Sequence, residues 1–257
     1  MMRGLWDRET VALLLLASVL PLGVTWLLAT GATGLLRLLF VLIAAGLWHL
    51  AFMLARAQPP SFSGAFTALA VAVLAPVDLG LVPMLLGISF GVVAGELAFG
   101  GWGRNVVNPA TVTITFLGFG FPAMPWPELP VQLGWSVPAV AAIGAVTGVM
   151  SWRVIISALA VMAVGYYTLG LETPVVTAAA VALVLLVCDP VAGAGTSLGR
   201  WLYGLLYGML VLLFALAWST AAPVQAAVSA ALLASLAAPL LDEIAISLWL
   251  ARRKRLG

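Results

Sequence analysis

Long apolar runs separated by short polar breaks make up almost the whole chain. A helix that crosses the hydrocarbon core of a bilayer needs about 20 apolar residues, because the core is about 30 Å thick and each helical residue adds 1.5 Å. Pro, Gly and charged residues mark the breaks. The pattern predicts ten membrane helices, over Thr10–Thr30, Leu35–Ala55, Phe62–Ala75, Leu79–Phe99, Pro109–Phe121, Gly134–Met150, Val154–Leu169, Pro174–Cys188, Trp201–Trp218 and Pro223–Leu250.

Two of these runs are too short to cross a bilayer of ordinary thickness. Phe62–Ala75 and Pro174–Cys188 each extend only about 22 Å as helices. They are the third run of the first five and the third run of the second five, and two halves with an odd number of helices insert in opposite orientations. We therefore predict one domain over residues 1–257 that contains two inverted repeats, at about 8–122 and 134–251, with a binding site between them. The alternative is a pair of ordinary helices that are tilted or whose ends the pattern marks poorly.

The positions of the basic residues predict the orientation of the chain. With the N terminus in the cytoplasm, the even-numbered loops and the tail are basic and the odd-numbered loops are acidic, which the positive-inside rule favours. Arg37 is the one exception. The basic residues are Arg3, Arg8, Arg56, Arg104, Arg153, Arg200 and Arg252-Arg253-Lys254-Arg255, and the acidic ones are Asp78, Glu128 and Glu172. We interpret the Trp residues at both interfaces, Trp26, Trp102, Trp126, Trp135, Trp152, Trp201 and Trp218, as anchors in the headgroup layer.

Composition narrows the class of protein further. Of 257 residues, 64% are apolar and 8% are charged, whereas a soluble domain carries about 25% charged residues. This excludes a soluble enzyme and a disordered chain, and a net charge of +2 is too small for a nucleic-acid partner. A single cysteine excludes a disulfide framework and a Cys-ligated iron–sulfur cluster within the chain. We expect no haem either, and the expected surroundings are a lipid bilayer.

Acidic residues within the apolar runs are candidates for cation handling. Glu96 lies near the end of the fourth run, Asp189 follows the eighth, and Asp242 lies inside the last. A carboxylate at the centre of a membrane helix costs about 3 kcal/mol, so it usually faces a polar interior. The alternative for Glu96 and Asp189 is a position at headgroup level.

Two glycine-rich loops are candidates for a ligand site. In the segment GGWGRNVVNPA, Gly103 permits close backbone approach, Arg104 is cationic, and the amides of Asn105 and Asn108 offer donors and acceptors. Asn108 is also predicted to cap the next helix. The alternative is an ordinary glycine-rich turn.

In DPVAGAGTSLGRW, Thr196 and Arg200 are the polar candidates, and Arg200 suits a phosphate or a ring carbonyl. The alternative is anchoring at the membrane surface. We interpret His49 as a structural or interfacial histidine and Cys188 as a small packing residue.

Four segments carry a family resemblance: GLWHLAFMLARAQPP, LLGISFGVVAGELAFGGWGRNVVNPA, DPVAGAGTSLGRWLYGLLYG and LLASLAAPLLDEIAISLWLARRKR. In this order they resemble the NqrB membrane subunit of sodium-translocating NADH:quinone reductase and the related RnfD subunit of the Rnf complex. The resemblance implies ten helices in two inverted repeats and single-electron transfer between flavins, coupled to cation movement. It implies a flavin site near Arg104, Asn105 and Asn108, and cation handling at Glu96, Asp189 and Asp242.

The sequence departs from that family in one segment. Family subunits attach FMN to the Thr of an S-G-A-T segment after the fifth helix, but FPAMPWPELPVQLGWSV contains no Thr. Thr147, in the loose echo IGAVT, is interpreted as a packing residue. The resemblance therefore implies a non-covalent flavin, riboflavin or FMN, and no covalent FMN.

Three functions compete on these observations. The leading one is an electron-transfer subunit in the bacterial inner membrane, with both termini cytoplasmic, redox subunits as partners, a quinone as a candidate partner, and no activity alone. The second is a transporter or channel for a cation or a flavin-like solute. The third is a structural anchor for a soluble oxidoreductase. A visible spectrum of the purified protein separates the first two.

Overall fold

A computed structural model describes residues 7–56, 61–218 and 220–254, and within these ranges the regular structure is helical throughout. Arg3, Pro59, Pro60 and Arg255 lie outside the described residues. The helices are α1 (Arg8–Arg56), α2 (Ser63–Leu74), α3 (Leu81–Gly95), α4 (Pro109–Gly120), α5 (Val131–Thr147), α6 (Trp152–Leu169), α7 (Thr173–Ala182), α8 (Ser197–Ala217) and α9 (Pro223–Lys254). A 3₁₀ turn (Leu97–Phe99) follows α3, and a π turn (Leu183–Val187) follows α7.

The first two predicted helices are joined in α1, which has a kink at Gly31. This residue has φ 62° and ψ −139°, a left-handed conformation that glycine adopts without steric cost. The arms over residues 8–30 and 32–56 correspond to the first two apolar runs. At the start of α1, hydrogen bonds from Thr10 to the Asp7 carboxylate lower the pKa of that carboxyl.

Among the described residues, five helical segments are long and apolar enough to cross a bilayer: Arg8–Arg56, Leu81–Phe99, Trp152–Leu169, Ser197–Ala217 and Pro223–Arg253. Shorter apolar helices, over 10–17 residues, lie between them. The fold is therefore that of a multi-pass helical membrane protein, as the apolar pattern predicts.

The two short runs form deeply buried helices. In α2 the buried stretch covers residues 66–76, and in α7 with its π turn it covers residues 177–189. Their side chains are apolar, mostly Ala, Val and Leu, and the small ones let neighbouring backbones approach closely. Most of each short helix thus lies inside the protein, away from lipid.

The exceptional Arg37 has a structural explanation. Its guanidinium Nη2 donates to the carbonyl oxygens of Ala75, at 2.5 Å, and Pro76, at 3.0 Å, where α2 ends. We call this part of the molecule the Arg37 end. Carbonyl groups at a helix C terminus lack internal partners and carry partial negative charge. Arg37 therefore caps the end of a buried helix. The positive-inside rule applies to basic residues in loops, so it does not predict on which side of the membrane Arg37 lies.

Two Trp residues are not interfacial anchors. Trp26 and Trp102 are 5% and 4% exposed, so both are packed inside the protein. Trp135 and Trp152, at 77% and 46%, are exposed as an anchor requires. The prediction is wrong for the first pair because hydropathy alone does not separate a Trp facing lipid from one facing a neighbouring helix.

Small residues bring helices together, as expected for membrane packing. A Cβ at Gly204 of α8 would collide with the carbonyl oxygen of Val154 in α6. A Cβ at Gly91 of α3 would lie 2.8 Å from Cα of Thr113 in α4.

Thr147 donates its hydroxyl to the carbonyl oxygen of Ile143, at 2.7 Å, within its own helix.

Candidate functional site

Asn108 joins the two glycine-rich loops predicted to form a site. Its Oδ1 accepts the amide hydrogens of Ala110, at 2.8 Å, and Thr111, at 3.3 Å, so it caps α4 as predicted. Its Nδ2 donates to Oδ2 of Asp189 at 2.8 Å. Both side chains are buried, at 1% and 3% exposed. One side chain therefore connects loop 100–108 with loop 188–196, and we call this part of the molecule the Asn108 end.

Loop 100–108 is shaped by its own side chains. Gly100, Gly101 and Gly103 all have positive φ. Asn105 accepts the amide hydrogen of Gly103 on Oδ1, at 3.2 Å, and donates Nδ2 to the carbonyl oxygen of Val107, at 3.3 Å. Arg104 is exposed. The loop thus presents a cation and open backbone, while both Asn amides are engaged within the protein.

Glu96 lies buried where α3 ends, with a polar neighbour that sequence reasoning did not assign to it. Its carboxylate is 1% exposed. Oε1 accepts from the hydroxyl of Ser63 at 3.5 Å, and Nε2 of His49 lies 3.9 Å from the same oxygen. Among the described atoms, Oε2 of Glu96 and Nε2 of His49 are buried without a close hydrogen-bond partner. The amide of Trp102 and the guanidinium of Arg8 nevertheless lie near enough to Glu96 to stabilise its charged form. His49 also lines a cavity of about 340 Å³ between α1 and α2.

Asp189 is held at the start of loop 188–196. Oδ1 accepts the amide hydrogen of Val191 at 2.9 Å, and Oδ2 accepts from Asn108. Its carboxylate is close enough to that of Glu96 for the two to repel each other electrostatically. The Asn108 end therefore places two buried carboxylates near each other.

Asp242 forms a latch between α9 and loop 188–196. Its Oδ2 accepts the amide hydrogen of Gly195 at 2.7 Å, and Oδ1 accepts from the amide and the hydroxyl of Thr196, at 2.9 and 2.6 Å. The Thr196 hydroxyl also accepts the amide hydrogen of Gly199, at 3.0 Å, and caps α8. We call these contacts the Asp242 latch.

Arg200 faces the same loop from α8. Its Nε donates to the carbonyl oxygen of Ala194 at 3.1 Å. Beside it is a cavity of about 160 Å³ that Cys188, Asp189 and Tyr203 also line. Small-molecule sites usually measure about 300–1,000 Å³, so this cavity is too small to enclose a flavin.

The structure brings some predicted residues together and separates others. Asn108 and Asp189 are in contact, as are Thr196 and Asp242. Within the described ranges, no three His, Cys, Asp or Glu side chains form a group able to hold a metal ion, so the three acids do not make one metal site. Sequence reasoning missed that His49 and Ser63 face Glu96, because a contact between residues so distant in the chain leaves no local signal.

Comparison with known proteins relates the sequence of the chain to one family. The model of the NQR2, RnfD, RnfE family matches residues 5–136, half of the chain. The NqrB subunit of the Na(+)-translocating NADH-quinone reductase of Azotobacter vinelandii is 34% identical over 114 residues, covering 42% of this chain and 28% of the relative.

The protein of the same name from Chromohalobacter salexigens is 36% identical over 121 residues, covering 47% of this chain and 29% of the relative. That from Yersinia pestis is 39% identical over 83 residues, covering 32% and 20%. The matched part of the chain therefore spans less than a third of the length of these relatives.

Proposed function

The chain belongs to the NQR2, RnfD, RnfE family, and we propose that it is a membrane-embedded electron-transfer subunit of an Rnf-like or NADH:quinone reductase-like complex. The names of its relatives support redox partner subunits, with a quinone as a candidate partner. The observation that carries the proposal is the buried bond from Asn108 to Asp189. It joins two loops whose motifs carry the family resemblance, as expected if they build one site.

We propose that a non-covalent flavin, riboflavin or FMN, binds at the surface of these loops and supplies single-electron steps. The residues fit such a group in one respect: Arg104 is exposed beside glycines with positive φ, which suits a ring carbonyl or a phosphate. Asn105 and Asn108 contribute by shaping the loop, because their amides are engaged. Thr196 and Arg200 do the same for loop 188–196.

The flavin is tested with protein purified from its native membrane. Denaturation should release flavin in about equal amount to the protein, with no fluorescence in the denatured band. Arg104→Gln should weaken flavin retention by roughly tenfold, the loss of one hydrogen bond to a charged group. Arg56→Gln is the matched control, since Arg56 lies over Phe52, outside both loops. A colourless complex, or equal retention in both variants, would contradict the site.

We also propose ten membrane helices in two inverted repeats, at about 8–122 and 134–251 of a single domain, in the bacterial inner membrane with both termini cytoplasmic. The course of the short helices supports this. Ser63, at the start of α2, contacts Glu96 at the Asn108 end, whereas α7 and its π turn finish near Asp189 at that same end. The two short helices therefore run in opposite directions. Activity of a periplasm-specific reporter fused after Arg255 would contradict the orientation.

The buried carboxylates are proposed to handle the coupling cation. Glu96 has an oxygen without a close hydrogen-bond partner, and Asp189 lies close enough to repel it, so a cation between them would relieve both. Asp242 is proposed to take part in cation handling from its position in the Asp242 latch. Glu96→Gln and Asp189→Asn should leave electron transfer in the complex less dependent on sodium, whereas unchanged sodium and pH dependence would contradict the proposal.

A cation channel is the second candidate function. The cavity of about 340 Å³ beside α1 favours it, because His49 on its wall lies 3.9 Å from Glu96. Cation flux into vesicles that contain the flavin-free chain alone would support this candidate. Flavin in the purified protein together with no flux would favour the electron-transfer subunit.

A further inference from the structure

The last turns of α9 extend beyond its last hydrogen bonds to another element. With 32 residues, α9 is about 48 Å long, well above the 30 Å hydrocarbon thickness. Among the described residues, the Asp242 latch makes the last hydrogen bonds from α9 to another element. Residues 243–254 continue for about 18 Å past the latch, beside the start of α8.

This extension is apolar and exposed. Ile246, Leu248 and Trp249 are 50%, 48% and 57% exposed, while Ala245 is buried against the protein. The last turn of the extension carries Arg252 and Arg253, and the guanidinium of Arg253 lies 5.4 Å from the centre of the Trp249 ring. An apolar stripe followed by Trp and Arg is typical of a helix that passes from the acyl chains into the headgroup layer.

A groove of about 370 Å³ lies between this extension and the start of α8. Its walls are Leu198, Ala245, Ile246, Leu248 and Trp249, with the hydroxyl-bearing Thr196 and Ser197 at the start of α8 and with Arg252 as its charged lining residue. One turn of a helix with its side chains occupies roughly 400 Å³, from a diameter of about 10 Å and a pitch of 5.4 Å. The groove is therefore smaller than one turn of a partner helix, and its apolar walls with one cation match the chemistry of an acyl chain with an anionic headgroup.

We propose that this groove binds an anionic phospholipid, with its acyl chain along Leu198, Ile246 and Leu248 and its phosphate at Arg252 and Arg253. The described lining residues include no carboxylate that would repel the phosphate. Basic pockets between membrane helices are known to select anionic headgroups. The site is separate from the proposed flavin and cation chemistry, and its test needs neither.

The test is lipid binding to the detergent-purified full chain, followed by native mass spectrometry. Phosphatidylglycerol and phosphatidylcholine with identical acyl chains are the probes. Two Arg side chains near the headgroup should favour phosphatidylglycerol by about 30-fold at low salt. Arg252→Gln with Arg253→Gln should remove this preference. Ile246→Trp, which fills the groove without changing charge, should weaken binding of both lipids.

The matched control is Arg56→Gln with Arg153→Gln. It removes the same charge from two Arg residues outside the groove, which stack on Phe52 and Trp152 as Arg253 does on Trp249, and should keep the preference. Equal affinity for the two lipids, or an unchanged preference without Arg252 and Arg253, would overturn the proposal. So would displacement of the lipid by an equal concentration of inorganic phosphate, or a photo-crosslinker at position 246 that captures a neighbouring protein in native membranes.

Discussion

The C-terminal ends of the two short buried helices differ in the charge of the groups beside them. The end of α2 receives a cation, because Arg37 donates to the carbonyl oxygens of Ala75 and Pro76. The π turn after α7 instead leads to Asp189, whose carboxylate lies close enough to Glu96 to repel it. A helix C terminus already carries about half a negative charge. In α2 a cation is bonded to it, whereas Asp189, which follows α7, accepts from neutral donors.

A side-chain donor also reaches the interior of α7, but it is neutral. The hydroxyl of Tyr207 in α8 donates to the carbonyl oxygen of Ala179 at 2.8 Å. The end of α2 is thus bonded directly to a cation, whereas the described hydrogen-bond donors to α7 and to Asp189 are neutral. This difference is the electrostatic reason to expect a cation at the Asn108 end and none at the end of α2.

The largest expected effect is at Arg37. Arg37→Met keeps an aliphatic chain but leaves two buried carbonyl groups without their charged donor, so the free energy of unfolding should fall by about 3 kcal/mol. The measurement is unfolding in mixed micelles, followed by circular dichroism. Arg56→Met is the control, because Arg56 is exposed and stacks on Phe52 outside the buried helix ends. Equal loss in both variants would show that Arg37 does not cap α2.

Asn108 tests the opposite end. Asn108→Ala removes both the cap of α4 and the donor to Asp189, so the free energy of unfolding should fall by about 2 kcal/mol. Asn108→Ser keeps a capping oxygen and should recover about half of that loss. If both variants lose the same amount, the cap contributes nothing and the bond to Asp189 accounts for the whole effect.

Tyr207 tests the neutral donor. Tyr207→Phe preserves the ring and removes one buried hydrogen bond, so the free energy of unfolding should fall by about 1 kcal/mol. Tyr167→Phe is the control, since that side chain is 84% exposed and should change stability little. A loss at Tyr207 as large as that at Arg37 would remove the distinction between charged and neutral donors.

How well the sequence predicts these two helix ends depends on how far apart in the chain the interacting residues lie. The short runs at α2 and α7, and the cap at Asn108, follow from local composition and are predicted correctly. Contacts between distant segments are not, because apolar periodicity says nothing about partners. Arg37 therefore stands in the sequence only as an exception to the charge pattern, and His49 as an isolated histidine.

The candidate site shows the same limit. The motifs indicate both loops and the acids, but the bond between Asn108 and Asp189 joins residues 81 positions apart. Which amide hydrogens are already engaged depends on loop backbone conformation, set by Gly100 and its neighbours. Sequence chemistry therefore gives the donors present in the site and does not show which remain available to a ligand.

Substitution of Asp189 should change the free energy of unfolding least, and it gives the most specific test of the cation site. Asp189→Asn loses a charge-assisted hydrogen bond but also relieves repulsion by Glu96 and by the helix end, so stability without added cation should change by less than about 1 kcal/mol. A cation that binds the folded state stabilises it by RT ln(1 + [L]/Kd), about 2.7 kcal/mol at a hundredfold excess over Kd.

Sodium chloride should therefore raise the unfolding midpoint of the native chain more than choline chloride at equal ionic strength. Asp189→Asn should lose this difference, while Glu243→Gln, which removes a carboxylate next to the Asp242 latch, should keep it. If sodium and choline act alike on the native chain, or if Asp189→Asn responds as the native chain does, the end of α7 holds no sodium. Its negative charge would then need another source of compensation, such as a proton.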